Sequence, residues 1–221
     1  MTVLITGAGL VGTLAAKRLV ERGERPVLYE VAPQMDNIRR HIDPSTVDLV
    51  RGDILDLPDL LRTVRDEKID RIIHTAGLLT AGARERPYTA GKVNLLGTMN
   101  ILETARLTDA KRVVFCSSAT VYMRTFATGA TEPFSEDFTM KALSGRPPGV
   151  YAALKLTSEW LGLDYCDLYG VDFVTTRFAG VFGPWKGVPG GLPGRLMSAL
   201  VENVALGRPA YVDDPVLTWG G

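Results

Sequence analysis

The chain has 221 residues, 46% of them hydrophobic and 23% charged, and its 25 basic and 25 acidic side chains give a formal net charge of zero. This balance excludes recruitment to nucleic acid or to an anionic membrane by bulk charge, and the length suits one large domain or a domain and a half. The two cysteines, Cys116 and Cys166, form neither a disulfide framework nor a metal-binding spacing. We therefore expect a reduced, cytoplasmic protein that needs no metal and no membrane.

Short β-branched runs alternate with longer amphipathic segments along most of the chain. We predict strands at Val3–Thr6, Pro26–Glu30, Val47–Arg51, Arg71–His74, Arg112–Ser117 and Asp172–Arg177. We predict helices at Leu10–Arg22, Asp59–Glu67, Arg86–Leu107, Tyr151–Tyr169 and around Leu196–Ala205. Strands that alternate with helices indicate right-handed crossovers and a doubly wound parallel sheet, a Rossmann-like α/β fold. The strands are apolar on both faces, as expected when helices cover both sides of a sheet.

A glycine-rich loop joins the first predicted strand to the first predicted helix. Gly7, Gly9 and Gly12 form the pattern G-x-G-x-x-G. In a dinucleotide site the first glycine permits a tight turn, the second lets the backbone approach the pyrophosphate, and the third lets the helix pack close to the strand. The N–H groups at the helix start, including those of Leu10 and Val11, then favour the phosphates. Alone the pattern is weak evidence for a dinucleotide site, so the neighbouring residues decide whether the loop binds a nucleotide.

The ends of the next three strands supply that context. Glu30 ends the second strand, where a carboxylate accepts hydrogen bonds from the adenosine ribose hydroxyls and repels a 2′-phosphate, which favours NAD over NADP. Asp53 follows the third strand and could receive the adenine amino group while Ile54 packs on the ring. Ala76 and Gly77 follow the fourth strand and are small enough to let a cofactor lie close.

Tyr151 and Lys155, in the run YAALK, are four residues apart and therefore share one face of a helix. A lysine ammonium about 6 Å away, at an effective dielectric near 20, favours the phenolate by roughly 3 kcal/mol, or about 2 pKa units. Tyr151 could then take a proton from a substrate hydroxyl as hydride leaves the same carbon. Of the two serines that end the fifth strand, Ser117 and Ser118, we choose Ser118 to hold the reacting oxygen.

The histidine and tryptophan side chains could either pack in the core or contact substrate. His74 lies within an apolar strand, so we expect a buried histidine of the core rather than a catalytic one. Trp160 and Trp219 are expected to pack, whereas Trp185 lies on a loop where it could contact substrate.

These motifs occur in an order that is highly specific. From Val3 to about Pro184 the chain resembles the extended short-chain dehydrogenase/reductases, the NAD-dependent epimerase/dehydratase family. The resemblance rests on TGAGLVG, Glu30, GDILD, HTAG, NLLGT, SSATVY, YAALK and RFAGVFGP. It implies a catalytic group of Ser118, Tyr151 and Lys155, supported by Asn94, with NAD as the cofactor and a sugar-like or nucleotide-linked substrate. It also divides the chain into an NAD-binding domain, residues 1–177, and the start of a small, truncated substrate-binding region, residues 178–221.

Two departures from the family pattern bear on the reaction. Related 4,6-dehydratases carry an Asp-Glu pair after the serine position, and here Ala119 and Thr120 stand there, so we do not expect dehydration. Gly180 replaces an asparagine that contacts substrate in many nucleotide-sugar epimerases.

The expected function is therefore an NAD-dependent epimerase that acts on a secondary alcohol of a sugar through a transient keto intermediate. A dehydrogenase that releases the oxidised product is the alternative, because both reactions use one set of residues. A non-catalytic dinucleotide sensor is a third possibility, which the retained Tyr151 and Lys155 disfavour. By resemblance, the helices at Arg86–Leu107 and Tyr151–Tyr169 predict a homodimer.

Overall fold

The computed structural model describes residues 1–108, 110–122, 146–186 and 191–211. Within them, six strands form one sheet in which every neighbouring pair is parallel. The strands are β1 Thr2–Thr6, β2 Arg25–Glu30, β3 Asp48–Arg51, β4 Arg71–His74, β5 Arg112–Ser118 and β6 Phe173–Phe178. Their order across the sheet is β3-β2-β1-β4-β5-β6. The chain winds outward in both directions from β1 and β4, which confirms the doubly wound α/β fold.

Helices cover both faces of the sheet because successive side chains of each strand point to opposite sides. In β1, Val3 and Ile5 pack on one face with Ala16 and Ile38, whereas Leu4 packs on the other face with a second cluster that includes Phe115. The helices are α1 Leu10–Glu21, α2 Met35–Arg39, α3 Leu57–Asp66, α4 Thr80–Glu85, α5 Pro87–Ala90, α6 Gly97–Thr108, α7 Gly149–Tyr169 and α8 Gly191–Ala205.

The predicted helix at Arg86–Leu107 has a more complex form. The structure divides it into α5, a π-helical turn at Gly91–Leu96, and α6. The short helices α2 and α4 were not predicted, and α8 begins five residues before the predicted start at Leu196. Across the described part of the chain, no helix combines the length and the apolar character that crossing a membrane requires.

Two of the tryptophans were expected to pack. Trp160 instead projects from α7 and is 58% exposed. Trp219 lies outside the described residues.

Candidate functional site

The glycine loop lies between β1 and α1 and has the geometry that its sequence predicts. Gly7 has a φ of +90°, a left-handed conformation, and a Cβ added there would lie 2.7 Å from the Ala76 backbone nitrogen. A Cβ on Gly12 would lie 1.9 Å from the Gly7 carbonyl oxygen, so the start of α1 packs against the loop. A Cβ on Gly9 would meet nothing within 4 Å. The loop is therefore closed on its protein side and open at Gly9.

The open side of the loop also carries backbone donors. Gly9 caps α1 without a side-chain hydrogen bond, and the first intrahelical bond runs from the Thr13 N–H to the Gly9 carbonyl. The N–H groups of Leu10, Val11 and Gly12 therefore lie in the first turn, where an α-helix offers them no acceptor. Such free N–H groups, together with the helix dipole, favour an anion at this end of α1, and the binding of a phosphate here stays a prediction.

Glu30 connects the glycine loop to the end of β2. Its Oε2 accepts a hydrogen bond from the Ala8 N–H at 2.9 Å, and its Oε1 accepts one from the Ala32 N–H at 3.0 Å. Each carboxylate oxygen can accept a second hydrogen bond, so the side chain is fixed while it retains capacity for ribose hydroxyls. Its role in binding ribose stays a prediction.

The other predicted adenosine contacts follow β3 and β4. Asp53 is exposed and its Oδ1 accepts a hydrogen bond from the Leu55 N–H at 2.9 Å. Ile54 is buried, and a Cβ on Gly97 would lie 2.5 Å from its Cδ1, so its side chain packs into the core. Contact between Ile54 and an adenine ring stays a prediction. Ala76 is half-buried and Gly77 is exposed at the end of β4.

Asn94 lies in the π-helical turn and its buried side chain holds the loop after β4. Its Oδ1 accepts from the Leu78 N–H at 2.7 Å, and its Nδ2 donates to the Leu78 carbonyl at 2.9 Å. Its own carbonyl accepts hydrogen bonds from the hydroxyls of Thr98 and Ser158. π-turns commonly occur at functional sites because they reorient one side chain within a helix. Here the reoriented residue is the one that the family resemblance assigns to support of the active site.

Ser118 ends β5 with its hydroxyl oriented by Thr120. Its Oγ accepts from the Thr120 N–H at 3.2 Å and from the Thr120 hydroxyl at 3.0 Å. Because both bonds use the oxygen as acceptor, the Ser118 proton can be donated to another group. The Ser118 hydroxyl also lies close enough to the Tyr151 phenol to oppose the rise in its pKa, and Tyr151 is the second residue that the motif analysis selected. The two residues are 33 positions apart in the chain and meet only because α7 packs over the end of β5.

Lys155 lies one helical turn beyond Tyr151 and is almost fully buried. Its Nζ donates to the Cys116 carbonyl at 2.6 Å and lies 5.9 Å from the centre of the Tyr151 ring and 4.5 Å from that of Phe115. Burial lowers the pKa of Lys155 to about 8, opposed by the adjacent Cys116 and Glu159. Lys155 therefore loses its proton at a lower pH than an exposed lysine does.

The pKa of Tyr151 differs from the sequence-based expectation. We expected Lys155 to lower it by about 2 units, but burial raises it, and the Ser118 hydroxyl only partly opposes that rise. The physical reason is burial, which removes the phenolate from water, while the Lys155 ammonium donates to the Cys116 carbonyl. Desolvation of the phenolate therefore dominates at Tyr151.

Glu159 and Arg177 are the charged pair that the sequence analysis missed. Glu159 lies one turn beyond Lys155 on α7, and Arg177 lies beside Ser117 in the register of β5 and β6. Arg177 donates to both carboxylate oxygens of Glu159, and the Ser117 hydroxyl donates to the same carboxylate. Burial raises the pKa of Glu159, opposed by Ser117 and Lys155. The four-residue spacing from Lys155 to Glu159 was the available signal.

Ser117 and Ser118 have different partners in this arrangement. Ser117 is buried and is engaged with Glu159, whereas Ser118 contacts Tyr151. The role of Ser118 as the serine of the site stays a prediction.

His74 is a buried residue of the core, as expected. It lies between the hydroxyls of Thr6 and Thr98, with Nδ1 2.6 Å from the Thr6 Oγ1 and Nε2 3.1 Å from the Thr98 Oγ1. Burial, assisted by the charge on Lys155, lowers the pKa of His74 to about 3, so the ring is neutral at physiological pH.

Comparison with known proteins identifies the class to which this fold and site belong. The family model described as the NAD dependent epimerase/dehydratase family matches residues 3–221. The chain belongs to that family, which confirms the resemblance and, at the level of the family, the NAD cofactor.

Individual relatives narrow the comparison. The chain is 32% identical over 222 residues to a probable UDP-glucuronate 4-epimerase of Rhizobium meliloti (strain 1021), in a match that covers 95% of the chain and 60% of that protein. Among solved structures, it is similar to the UDP-glucose 4-epimerase of Brucella ovis in complex with NAD, with 29% identity, a TM-score of 0.65, and coverage of 81% of this chain and 52% of that one.

A second solved structure extends the match along the chain. The NAD complex of a UDP-glucose 4-epimerase from Thermus thermophilus is 26% identical, with a TM-score of 0.72, and the match covers 95% of this chain and 64% of that one. The chain thus spans less than two thirds of the length of these relatives.

Proposed function

We propose that this chain is the NAD-binding and catalytic part of an epimerase that inverts a secondary alcohol on a sugar or nucleotide-sugar substrate through a transient keto intermediate. The observation that carries the proposal is the contact of Tyr151 with Ser118, one helical turn from a buried Lys155. This group lies at the carboxyl end of β5. The glycine loop and Glu30 lie at the carboxyl ends of β1 and β2, which is the same edge of the parallel sheet.

That edge fits a dinucleotide. The donors at the start of α1 suit the pyrophosphate, the open face of Gly9 leaves room for its close approach, and Glu30 is oriented for the ribose. When bound, NAD would accept hydride from the substrate carbon and return it. The small residues Ala76 and Gly77 lie between the two ends of the site, after β4.

The chain's own residues would control the proton. Tyr151 would accept the proton of the substrate hydroxyl during oxidation and return it during reduction, and Ser118 would donate a hydrogen bond to the same oxygen. Burial raises the pKa of Tyr151, so the phenolate needs positive charge beside it. The Lys155 ammonium lies 5.9 Å from the centre of its ring and could supply that charge. Asn94 would keep the loop after β4 in place through its two bonds to Leu78.

The residues after Ser118 favour epimerisation over dehydration. Elimination of a hydroxyl needs an acid beside the leaving group. The Ala119 side chain carries no acidic group, and the Thr120 hydroxyl is hydrogen-bonded to Ser118. Several relatives are named as 4-epimerases of UDP-glucose or UDP-glucuronate. A UDP-sugar is therefore the first substrate to test.

We also propose a cytoplasmic homodimer. Apolar side chains project from α6 and α7 into solvent, including Met99 at 36% exposure, Trp160 at 58% and Leu163 at 51%. Such side chains on neighbouring helices suit an interface between two copies of the chain. Analytical ultracentrifugation at micromolar concentration would show a dimer, and a monomer alone would contradict this part of the proposal.

The activity is tested by incubating the full-length protein with NAD and a panel of UDP-sugars. Isomer formation is followed by chromatography and reduced nicotinamide by its near-ultraviolet absorbance. An epimerase converts substrate to an isomer without lasting accumulation of NADH. Accumulation of NADH in step with substrate loss would show the alternative dehydrogenase.

A further inference from the structure

A segment of the chain crosses the edge of the sheet at which we place NAD. We call residues 179–186 the crossing segment. It follows β6, which is the strand at one edge of the sheet. Gly183 lies against α1, because a Cβ added to it would be 3.1 Å from a methyl group of Leu10. Leu10 is the first residue of α1 and directly follows Gly9 of the glycine loop. The crossing segment therefore reaches the predicted phosphate site.

The spacing of the strands limits the path that the crossing segment can take from β6 to the start of α1. β6 and β1 are three strand spacings apart, which is about 14 Å. The five residues from Phe178 to Gly183 can span at most about 18 Å. Both ends of this stretch lie at the carboxyl edge of the sheet, so its short length leaves little slack for a route other than along that edge, past β5 and β4. On this path it passes the crevice between β4 and β1, where the direction of winding reverses and where such sheets bind their ligands.

The far end of the crossing segment is fastened to the region of α2. Asn37 binds the backbone of Lys186 twice, since its Nδ2 donates to the Lys186 carbonyl at 2.6 Å and its Oδ1 accepts from the Lys186 N–H at 2.9 Å. His41 lies with its Nε2 3.0 Å from the Pro184 carbonyl and stacks on the Trp185 ring, with 5.8 Å between ring centres.

Trp185 adds an apolar anchor to these polar contacts. It is partly buried and packs against the core cluster formed by β1, β2, α1 and α2. The sequence suggested a substrate contact for Trp185, whereas the structure places its side chain against the protein. The crossing segment is thus held at β6 by the sheet and at α2 by hydrogen bonds, a ring stack and a buried indole.

We propose that residues 183–186, together with Asn37 and His41, form a clasp over the cofactor crevice that must open for NAD to enter and to leave. This role rests on the proposed location of NAD at the carboxyl edge. The cofactor cannot pass a short segment that is fixed at both ends unless one end is released. The fastening at α2 is the end that can be released without breaking the sheet.

A clasp and a direct contact have different kinetic signatures. Weakening a clasp speeds both entry and exit, because both need the open form. Weakening a direct contact to NAD speeds exit alone. We would measure NADH association by stopped-flow fluorescence, and dissociation by displacement with excess NAD, on the full-length protein. The clasp variants are Asn37→Ala and His41→Ala, and the direct-contact comparison is Glu30→Gln.

Gln34→Ala is the matched control, because the Gln34 Oε1 accepts the other hydrogen bond of the Asn37 amide at 2.6 Å. We expect both clasp variants to raise association and dissociation rates together, by about ten-fold for the loss of the Asn37 bonds, with a smaller change in Kd. Gln34→Ala should leave both rates close to wild type. His41 is partly exposed, so His41→Ala keeps the test decisive if Asn37→Ala does not fold.

Unchanged rates in the clasp variants would overturn the clasp, and so would a rise in dissociation alone. Absence of NADH binding by the wild-type protein would instead overturn the cofactor site on which the proposed function depends.

Discussion

Arg177 and Glu159 form a two-pronged ion pair behind the proposed catalytic group. The Arg177 Nη2 donates to the Glu159 Oε2 at 2.6 Å, and its Nε lies 3.1 Å from each carboxylate oxygen. Glu159 is 2% exposed and Arg177 is 18% exposed. The pair joins the end of β6 to the helix that carries Tyr151 and Lys155. It therefore fixes α7 relative to the carboxyl edge of the sheet.

Breaking one partner of this pair should cost more stability than removing both. Glu159→Gln removes the carboxylate that Arg177 binds through two nitrogens at a mostly buried position, and we expect a loss of about 3 kcal/mol in the free energy of unfolding. The double variant Glu159→Gln with Arg177→Met should recover much of that loss. Urea unfolding of the three proteins measures both values, and additive losses in the double variant would contradict the assignment.

Lys155 should give stability a distinct pH dependence. Its folded pKa of about 8 is below the reference value of 10.5, so the unfolded chain binds the extra proton between these values and stability rises with pH in that window. From about pH 7 to about pH 10 the gain from this group is about 2 kcal/mol. Lys155→Met should remove that rise. An unfolding free energy with the same pH slope in the variant and the wild type would show that Lys155 is not its source.

Gly9 and Gly12 should respond differently to the same substitution. Gly12→Ala places a methyl group 1.9 Å from the Gly7 carbonyl oxygen, so we expect a lower melting temperature and weak NAD binding. Gly9→Ala places it in open space, so the protein should keep its melting temperature and lose affinity for NAD. Thermal unfolding without cofactor and NADH titration separate the two effects. Normal NAD affinity in a folded Gly9→Ala protein would argue against a pyrophosphate at this loop.

Glu30 should determine the choice between NAD and NADP. Glu30→Gln keeps an oxygen that can accept from the Ala8 N–H, as Oε2 does at 2.9 Å, and removes the negative charge that would repel a 2′-phosphate. We expect affinity for NAD to fall by about ten-fold and the preference over NADP to shrink. Titration of both reduced cofactors by fluorescence checks this. A variant with unchanged preference would place the adenosine ribose away from Glu30.

The sequence predicted most of the sheet because strands buried on both faces have a strong local pattern. Arg71–His74 was predicted at its observed bounds, and Gly7, Gly9 and Gly12 identified the loop between β1 and α1. The π-turn at Gly91–Leu96 was not predicted, because helical periodicity does not reveal an inserted residue.

Contacts between residues that are far apart in the chain could not be predicted either, because local sequence patterns carry no information about them. Asn37 and Lys186 are 149 residues apart, and only the fold brings them together. The sequence analysis selected Ser118 over Ser117, but it did not predict that Ser117 binds Glu159, a contact that only the fold reveals. The pKa of Tyr151 depends first on its burial, which the four-residue spacing to Lys155 does not reveal.

The central claim is that Tyr151 moves the proton during a transient oxidation of the substrate. The measurement is stopped-flow detection of reduced nicotinamide when the full-length, NAD-loaded protein meets the UDP-sugar that it converts, for wild type and for Tyr151→Phe. We predict a signal that rises and returns to its starting value in the wild type. In Tyr151→Phe, NAD should still bind and the signal should form at least a hundred-fold more slowly, on the order of the loss of a general acid–base catalyst. Equal signals in both proteins would contradict the claim.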